Sequence, residues 1–389
     1  MTRFTLSGRI QALPPYLFAE IDRKKQEVRA RGMDIIDLGV GDPDRPTPKF
    51  IVDRMKREAA VPANHRYPSY EGLPAFRDAA AKWYRRRFGV ALDPASEVVA
   101  LIGSKEGIAH FPMAFVNPGD VVLVPDPGYP VYHIATMFAG GKSHLLPLLR
   151  ENGFLPELER IPASALRKAK ILFLNYPNNP TSAVADRAFY RKVLRFAEAH
   201  DLIVAHDVAY TEIYFGDEKP MSILDLPGAK KRCIEFHSLS KTYNMTGWRI
   251  GFAVGNPDLV AGLGKVKTNV DSGVFQAIQG AAIAALTEGD AAAEAIRKVY
   301  QERRDLLVPG LRALGLDPVD PKATFYVWIP VPKGYGSASF CTHLLTNAGI
   351  VTTPGNGFGR SGEGYVRIAL TQEKGRLREA LDRMKRIGF

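Results

Sequence analysis

The sequence predicts an α/β fold: a large domain built on a mostly parallel sheet covered by helices, followed by a smaller α+β domain. Three observations predict it. Short runs rich in β-branched residues alternate with helical or loop segments through the middle of the chain. Those runs are apolar nearly throughout, as strands buried on both faces must be. Beyond a long amphipathic helix near residue 300, the alternation gives way to two strands and two further helices.

Taken in order, Pro14-Pro15 precede a helical stretch from Tyr16 to Arg31, and Gly32 stands where a helix C-terminal cap is expected. DIIDLGVGDP reads as a short strand entering a Gly/Pro loop, and Gly72 to Phe88 as a helix closed by Gly89. The runs EVVALIG, VVLVP, KILFLNY, LIVAHD, CIEFHS and RIGFAVG are the sheet strands. Between KILFLNY and LIVAHD lies a helix with Asp186 as N-cap and Phe189, Val193 and Phe196 as its apolar stripe. The long helix carries Ile296, Tyr300, Arg303, Leu307 and Leu311, and the strands TFYVWIP and GYVRIAL follow. The expected division is an N-terminal arm and helix (1–35), a large domain (36–285), and a small domain (286–389) packing with the arm. No shift in composition marks the boundary.

Of 389 residues, 46% are hydrophobic and 24% charged, a balance that excludes a disordered or fibrous chain. No apolar run approaches the roughly 18 residues a membrane span needs. The first residues lack the continuous apolar core of a secretory signal, so a cytoplasmic protein is expected. Cys233 and Cys341 are too few for a disulfide framework or a cysteine zinc site, and read as small hydrophobes. The net charge of +11 gathers at Arg85-Arg86-Arg87, at Lys230-Lys231-Arg232 and from Lys374 to Arg386. The last segment carries Leu377, Leu381 and Met384 at near-helical spacing, an amphipathic helix with a solvated basic face. No zinc-finger spacing, helix-turn-helix signal or aromatic RNA motif accompanies the charge, so nucleic acid is not an expected partner. Attraction for anionic metabolites is compatible with it.

Four segments carry chemistry. In HSLSKTYNMTGWRIGFAVG, Ser238, Ser240, Lys241 and Arg249 follow a strand end within a dozen residues. Hydroxyls and a guanidinium in a turn suit a phosphate dianion, and a lysine amine among them can condense with a bound aldehyde. In LIVAHDVAY, Asp207 ends a buried strand with Tyr210 three residues on. A carboxylate there can pair with a protonated ring nitrogen, and the phenol can bond a ring oxygen. Alone, Asp207 would be a turn cap and Tyr210 a core aromatic. KILFLNYPNNPTSA presents Asn179 before Pro180 in a stiffened loop, and EVVALIGSKEGIAHF turns at Gly103-Ser104 into a helix whose first N–H groups can hold an anion. All four lie at C-terminal strand ends, where ligands of open α/β sheets collect.

The set Asn179-Pro180-Thr181, Asp207-x-x-Tyr210 and Ser238-x-Ser240-Lys241 followed by Arg249 resembles the fold-type I, class I/II aminotransferases, which use pyridoxal phosphate. The resemblance runs from LGVGDP to YVRIAL. It implies that Lys241 condenses with the cofactor's carbonyl, that Asp207 faces the pyridine nitrogen, and that Asn179 and Tyr210 face the phenolic oxygen. It places Ser104, Lys105, Ser238, Ser240 and Arg249 at the phosphate, Tyr129 on the cofactor ring, and Tyr67 at the phosphate of the neighbouring subunit, making the active unit a homodimer. Gly41 and Arg367 resemble the pair that holds the substrate α-carboxylate. A charge in the apolar strand around Arg367 is costly unless an anion meets it. His206 reads as a strand-packing residue. The family's usual NPTG is Asn179-Pro180-Thr181-Ser182 here, and loss of the glycine is expected to alter the loop without disturbing Asn179.

PYLFAEID, GDPDRPTP, RYPSYEGLPAFR, GSKEGIAH and KTNVDSGVFQAIQ look most like the bacterial LL-diaminopimelate aminotransferase subgroup of lysine biosynthesis, with 2-oxoglutarate/glutamate as the other amino couple. In that subgroup Tyr16 and Lys105 would face the substrate, beside Tyr129 and Asn179. Aspartate or alanine aminotransferases share parts of these segments. A lyase on the same fold and a non-catalytic module are the further alternatives.

Overall fold

The computed structural model describes residues 4–13 and 17–389. The N-terminal helix spans Leu17–Ala30, while Pro14, Pro15 and Tyr16 lie outside the described residues. The chain then forms β1 (Ile36–Asp37), β2 (Val98–Leu101), β3 (Val121–Asp126), β4 (Lys142–Pro147), β5 (Ala169–Asn175), β6 (Ile203–Asp207), β7 (Cys233–Ser238) and β8 (Gly251–Gly255). After these come β9 (Tyr326–Pro330), β10 (Ile350–Val351), β11 (Thr353–Pro354) and β12 (Tyr365–Ala369).

Seven strands make the main sheet in the order β2-β8-β7-β6-β5-β3-β4. β8 runs antiparallel to both its neighbours and the remaining pairings are parallel. The apolar strands are buried on both sides because alternate residues enter different cores. Leu172 and Leu174 of β5 pack with Tyr84, Val193 and Phe252, while Ile171 and Phe173 pack with Phe111, Val260 and Leu263. β4 has no counterpart among the apolar runs of the sequence. It is an edge strand in which only Leu146 is buried, so it carries no continuous apolar signal.

Helix boundaries follow local chemistry. The second predicted helix starts at Pro74, since proline suits a first helical turn, and ends at Gly89 with φ 73°. Asp186 caps Arg187–Ala199, its carboxylate accepting the Phe189 N–H at 2.7 Å. Phe189 and Val193 are buried and Phe196 is half-buried.

A second core forms where the long helix Asp290–Ala313 packs Ile296, Tyr300, Leu307 and Leu311 against Val327 and Ile329 of β9 and Ile368 of β12. Leu377, Ala380 and Met384 of the helix Lys374–Ile387 close it. Its sheet is antiparallel in the order β11-β12-β9. β1 pairs in parallel with β10, and Ile36 and Leu38 join this second core. Arg303 occupies the same helical stripe but is charged. Its guanidinium grips Asp44 through two bonds of 2.6 and 2.7 Å and donates to the Leu370 carbonyl, which fixes the loop after β1.

Candidate active site

The C-terminal ends of the central strands open toward the second sheet, and the residues singled out from sequence converge there. Ser238 ends β7 opposite Gly251 of β8, which in turn lies opposite Leu101 of β2. A Cβ on Gly251 would stand 2.5 Å from the His237 carbonyl and 3.1 Å from the Ser104 amide nitrogen, so only glycine allows this approach. Gly103 turns with φ 76° into the helix Ser104–Phe115, and a Cβ there would meet the Arg249 guanidinium at 2.3 Å. Ser104, Ser238, Ser240 and Arg249 thereby gather around one point. A helix N-terminus, hydroxyls and a guanidinium form a cradle for a dianion. Among the described residues no carboxylate pairs with Arg249, whose Nη1 donates to the Thr246 carbonyl at 2.8 Å.

Lys241 follows in the four-residue helix Leu239–Thr242, its Nζ donating to the Gly41 carbonyl at 3.0 Å. Burial brings its ammonium down to about 8, with Asp42 opposing and Arg249 and Arg367 assisting. Asp207 ends β6 beside Asn175 of β5. Burial pushes its carboxyl up to about 6 against the opposing bonds from Tyr132 Oη (2.8 Å) and the Ala209 N–H (3.4 Å). Burial and the Asp207 charge hold Tyr132 well above the usual phenol range, so it remains an O–H donor. Asn175 donates to the Asp207 carbonyl at 2.9 Å and accepts the Asn179 N–H at 2.8 Å, linking the two strand ends.

Arg367 is 3% exposed, yet no carboxylate among the described residues pairs with it. Its Nη1 donates to Asn179 Oδ1 at 2.8 Å and its Nη2 to the Gly39 carbonyl at 2.7 Å. The guanidinium lies 4.0 Å from the Tyr326 ring centre and 4.7 Å from that of Phe358, while its Nε has no partner. Neutral acceptors and ring faces hold the group, and its charge stays available to an anion. Tyr326 Oη meets Tyr210 Oη at 3.1 Å. A Cβ on Gly41 would stand 1.9 Å from that same Tyr326 hydroxyl, so Gly41 makes room for the ring.

Tyr129 packs its ring against that of Tyr132, with centres 6.0 Å apart. Tyr129 is half-buried, with the exposed Lys105 placing Nζ 6.0 Å from its ring centre. Tyr67 is 88% exposed on the segment RYPSYEGLP. That segment packs on KTNVDSGVFQAIQ, where Gln279 accepts the Leu73 N–H at 2.7 Å and Gln276 donates to the Arg66 carbonyl. Tyr16 lies outside the described residues. His206 is fully buried with Nδ1 3.1 Å from Glu235 Oε1, and both cysteines are buried with thiols pushed up by burial, Cys341 to about 12. Ser182 takes φ 63°, so the loop keeps the left-handed turn that a glycine would adopt freely.

Three residues of this cluster escape the sequence reading. Tyr132 lies three residues after Tyr129, Asn175 ends the strand before the Asn-Pro loop, and Tyr326 sits in TFYVWIP. The signal at Asn175 is a polar side chain ending an otherwise apolar strand. Tyr132 and Tyr326 look like core aromatics until their hydroxyls are placed.

The family model "Aminotransferase class I and II" matches residues 33–384. A relative from Syntrophobacter fumaroxidans, named LL-diaminopimelate aminotransferase, is 59% identical over 386 residues, covering 99% of this chain and all of that one. One from Aquifex aeolicus with the same name is 60% identical over 384 residues, 99% of each. Among solved structures, substrate-bound BacF from Bacillus subtilis superposes with a TM-score of 0.94 at 40% identity, covering 99% of this chain and 98% of that one. Aspartate aminotransferase from Thermus thermophilus with maleate gives 0.92 at 31% identity, covering 99% and 100%. The chain belongs to the class I and II aminotransferases. It is a pyridoxal-phosphate enzyme of fold type I.

The residues present fit that cofactor. Among the described residues, Asp207 is a buried carboxylate with no Lys or Arg ion-pair partner, Lys241 an amine of lowered basicity, and the Ser104–Ser238–Ser240–Arg249 cradle a cationic site without a counter-anion. They complement, in turn, a protonated ring nitrogen, an aldehyde and a phosphate.

Proposed function

We propose that this chain is an LL-diaminopimelate aminotransferase, moving an amino group between LL-2,6-diaminopimelate and 2-oxoglutarate/glutamate by a ping-pong cycle in lysine biosynthesis. The observation that carries the reading is identity of 57–60% over 97–100% of the chain to relatives of that name. The aspartate aminotransferase of known structure stands at 31%. Aspartate and alanine are therefore not the favoured donors.

Bound pyridoxal phosphate supplies an electron sink for the pair left when the substrate Cα–H bond breaks. Asp207, buried and held by Tyr132, keeps the proton on the ring nitrogen. Asn179 has its carbonyl oxygen occupied by Arg367, which leaves its amide N–H groups, with the Tyr210 hydroxyl, for the phenolic oxygen. Arg367 binds the α-carboxylate beside Gly41. Lys241, lowered to about 8, is the base that takes the Cα proton and the acid that delivers it to the cofactor carbon C4′. Ser104, Ser238, Ser240 and Arg249, with Lys105, would hold the phosphate, and Tyr129 would pack on the ring. Tyr16 and Lys105 serve the distal end of the substrate.

Tyr67, too exposed for a task in its own subunit, reaches the neighbouring site in a two-fold homodimer. The division into an arm (1–35), a large domain (36–285) and a small domain (286–389) is part of the same proposal, with Ile36 and Leu38 lent to the small core. The enzyme is proposed to be cytoplasmic, and among the described residues no helix is long and apolar enough to cross a membrane.

The test is kcat/KM for LL-diaminopimelate, aspartate and alanine with 2-oxoglutarate as acceptor. LL-diaminopimelate should win, because a pocket built to pair its distal ammonium and carboxylate leaves polar groups unpaired with shorter donors, at about 1–3 kcal/mol each. A better rate with aspartate or alanine overturns the substrate assignment. Keto-acid release beyond one equivalent per active site without any acceptor points to a lyase.

A further inference from the structure

Ser182, in the loop after β5, and Thr324, just before β9, both hold left-handed backbone, with φ of 63° and 66°. That region is unfavourable for L-residues, and for a β-branched threonine it is an outlier that the surroundings must enforce. The two residues are buried and their hydroxyls meet at 2.9 Å. Ser182 Oγ also donates to the Tyr326 carbonyl at 2.6 Å. Its single proton is thereby used, so Thr324 is the donor between the hydroxyls. Thr324 Oγ1 accepts the Tyr326 N–H at 3.0 Å, and its own N–H donates to the Ile213 carbonyl at 2.7 Å. Both backbone groups of Tyr326 are therefore held by this hydroxyl pair.

The link joins the two sheets next to Arg367. Asn179, three residues before Ser182, accepts from the Arg367 guanidinium, and Tyr326 packs its ring under that guanidinium and its hydroxyl against Tyr210. Glycine at 182 would take the same backbone without strain but would have no hydroxyl. The serine's conformational cost is offset only through the bonds its hydroxyl makes.

We propose that Ser182 is a positioning residue for the substrate carboxylate. Through Thr324 and the Tyr326 carbonyl, it fixes the Tyr326 ring that carries Arg367. The inference rests on the reading of Arg367 as the carboxylate ligand. The experiment uses the cofactor-loaded enzyme and succinate, an unreactive dicarboxylate, with its Kd measured by calorimetry and the thermal midpoint recorded for each variant. Ser182→Gly should weaken succinate about three- to tenfold, the worth of a typical hydrogen bond, while its midpoint stays at or above wild type. Ser182→Ala should weaken binding similarly with a lower midpoint, because strain remains without the bonds. Thr324→Ala should weaken binding too, and Ser182→Ala/Thr324→Ala should be no weaker than the poorer single variant, since the pair acts as a unit. Thr324→Ser, which keeps the hydroxyl, is the conservative control and should bind within twofold of wild type. Succinate bound by Ser182→Gly within twofold of wild type overturns the proposal, as does a loss of binding that only tracks a loss of midpoint. Arg367→Ala separates the two readings. Succinate retained there sinks the role of Arg367, whereas succinate lost there but retained in Ser182→Gly sinks only the role of Ser182.

Discussion

Replacing Tyr132 by phenylalanine removes one oxygen atom and tests how Asp207 is kept ready. The carboxylate is buried and has two donors, Tyr132 Oη at 2.8 Å and the Ala209 N–H at 3.4 Å. Only the first is short, and burial outweighs both, raising the carboxyl from 3.8 to about 6. At roughly 1.4 kcal/mol per unit, that rise costs the cofactor-free chain about 3 kcal/mol above pH 6. The sign follows from the raised folded value: this group's contribution is present below pH 3.8 and is lost as pH rises through 6. A hydrogen bond to a charged group contributes about 1.5–3 kcal/mol, so losing Tyr132 Oη should push Asp207 up by a further one to two units. The assay is denaturant unfolding of cofactor-free Tyr132→Phe and wild type at pH 5 and pH 8. At pH 8, where Asp207 is ionised in the wild type, the variant should lose about 1.5–3 kcal/mol, and at pH 5, where it is largely protonated, about 1 kcal/mol or less. Equal losses at both pH values would show that the hydroxyl serves packing rather than the carboxylate.

Four further outcomes follow from the same site. Lys241 is lowered from 10.5 to about 8, so between those values the unfolded chain binds more protons and stability of the cofactor-free chain rises with pH; Lys241→Met should remove about 2 kcal/mol of that rise in paired denaturation curves at pH 8 and 10. With cofactor, Lys241→Ala should retain pyridoxal phosphate through Asp207, Ser238, Ser240 and Arg249 but show no turnover, read from its visible absorbance and a transamination assay. Gly41→Ala places a methyl against the Tyr326 hydroxyl, and an overpacking cost of about 1–3 kcal/mol should raise KM roughly five- to 150-fold, with Tyr326→Phe as a second substitution recovering part of it. Arg367→Lys gives up the two-pronged hold on Asn179 and Gly39, so kcat/KM should fall by about 10² or more for donor and acceptor alike, while loss for one substrate alone would contradict a shared α-carboxylate site.

Much of this architecture is written in local chemistry. Six apolar runs announce the central sheet, and Asp186 and Gly89 mark helix ends as their side-chain chemistry requires. The edge strand β4 is silent because Leu146 alone of its residues is buried, and strands of two residues such as β1 and β10 are too short to show a period. At the site, Lys241, Asp207 and Arg367 are legible because a charge in an apolar setting must have a reason. Tyr132 and Tyr326 are not, because a phenol in a core satisfies the hydrophobic pattern whether or not its oxygen has work to do. Ser182 is visible as a departure from glycine, but the backbone angle that gives the departure meaning belongs to the fold.

The pairing of β1 with β10, continued by the bond from Leu38 N–H to the Val351 carbonyl and by Arg367 reaching Gly39, ties together residues up to 328 positions apart. On the ribosome, at about 5–20 residues per second, Gly39 emerges some 15–65 s before the arginine that grips it. The main sheet, complete by residue 255, has every strand it needs while the pocket proposed for the carboxylate still lacks one wall. Ribosome-bound intermediates should therefore bury the parallel sheet early, with the Gly39–Gly41 loop protected from proteases only after β12 has been made. Chaperone demand would then fall on a half-built enzyme, already folded at its centre and still open at its mouth.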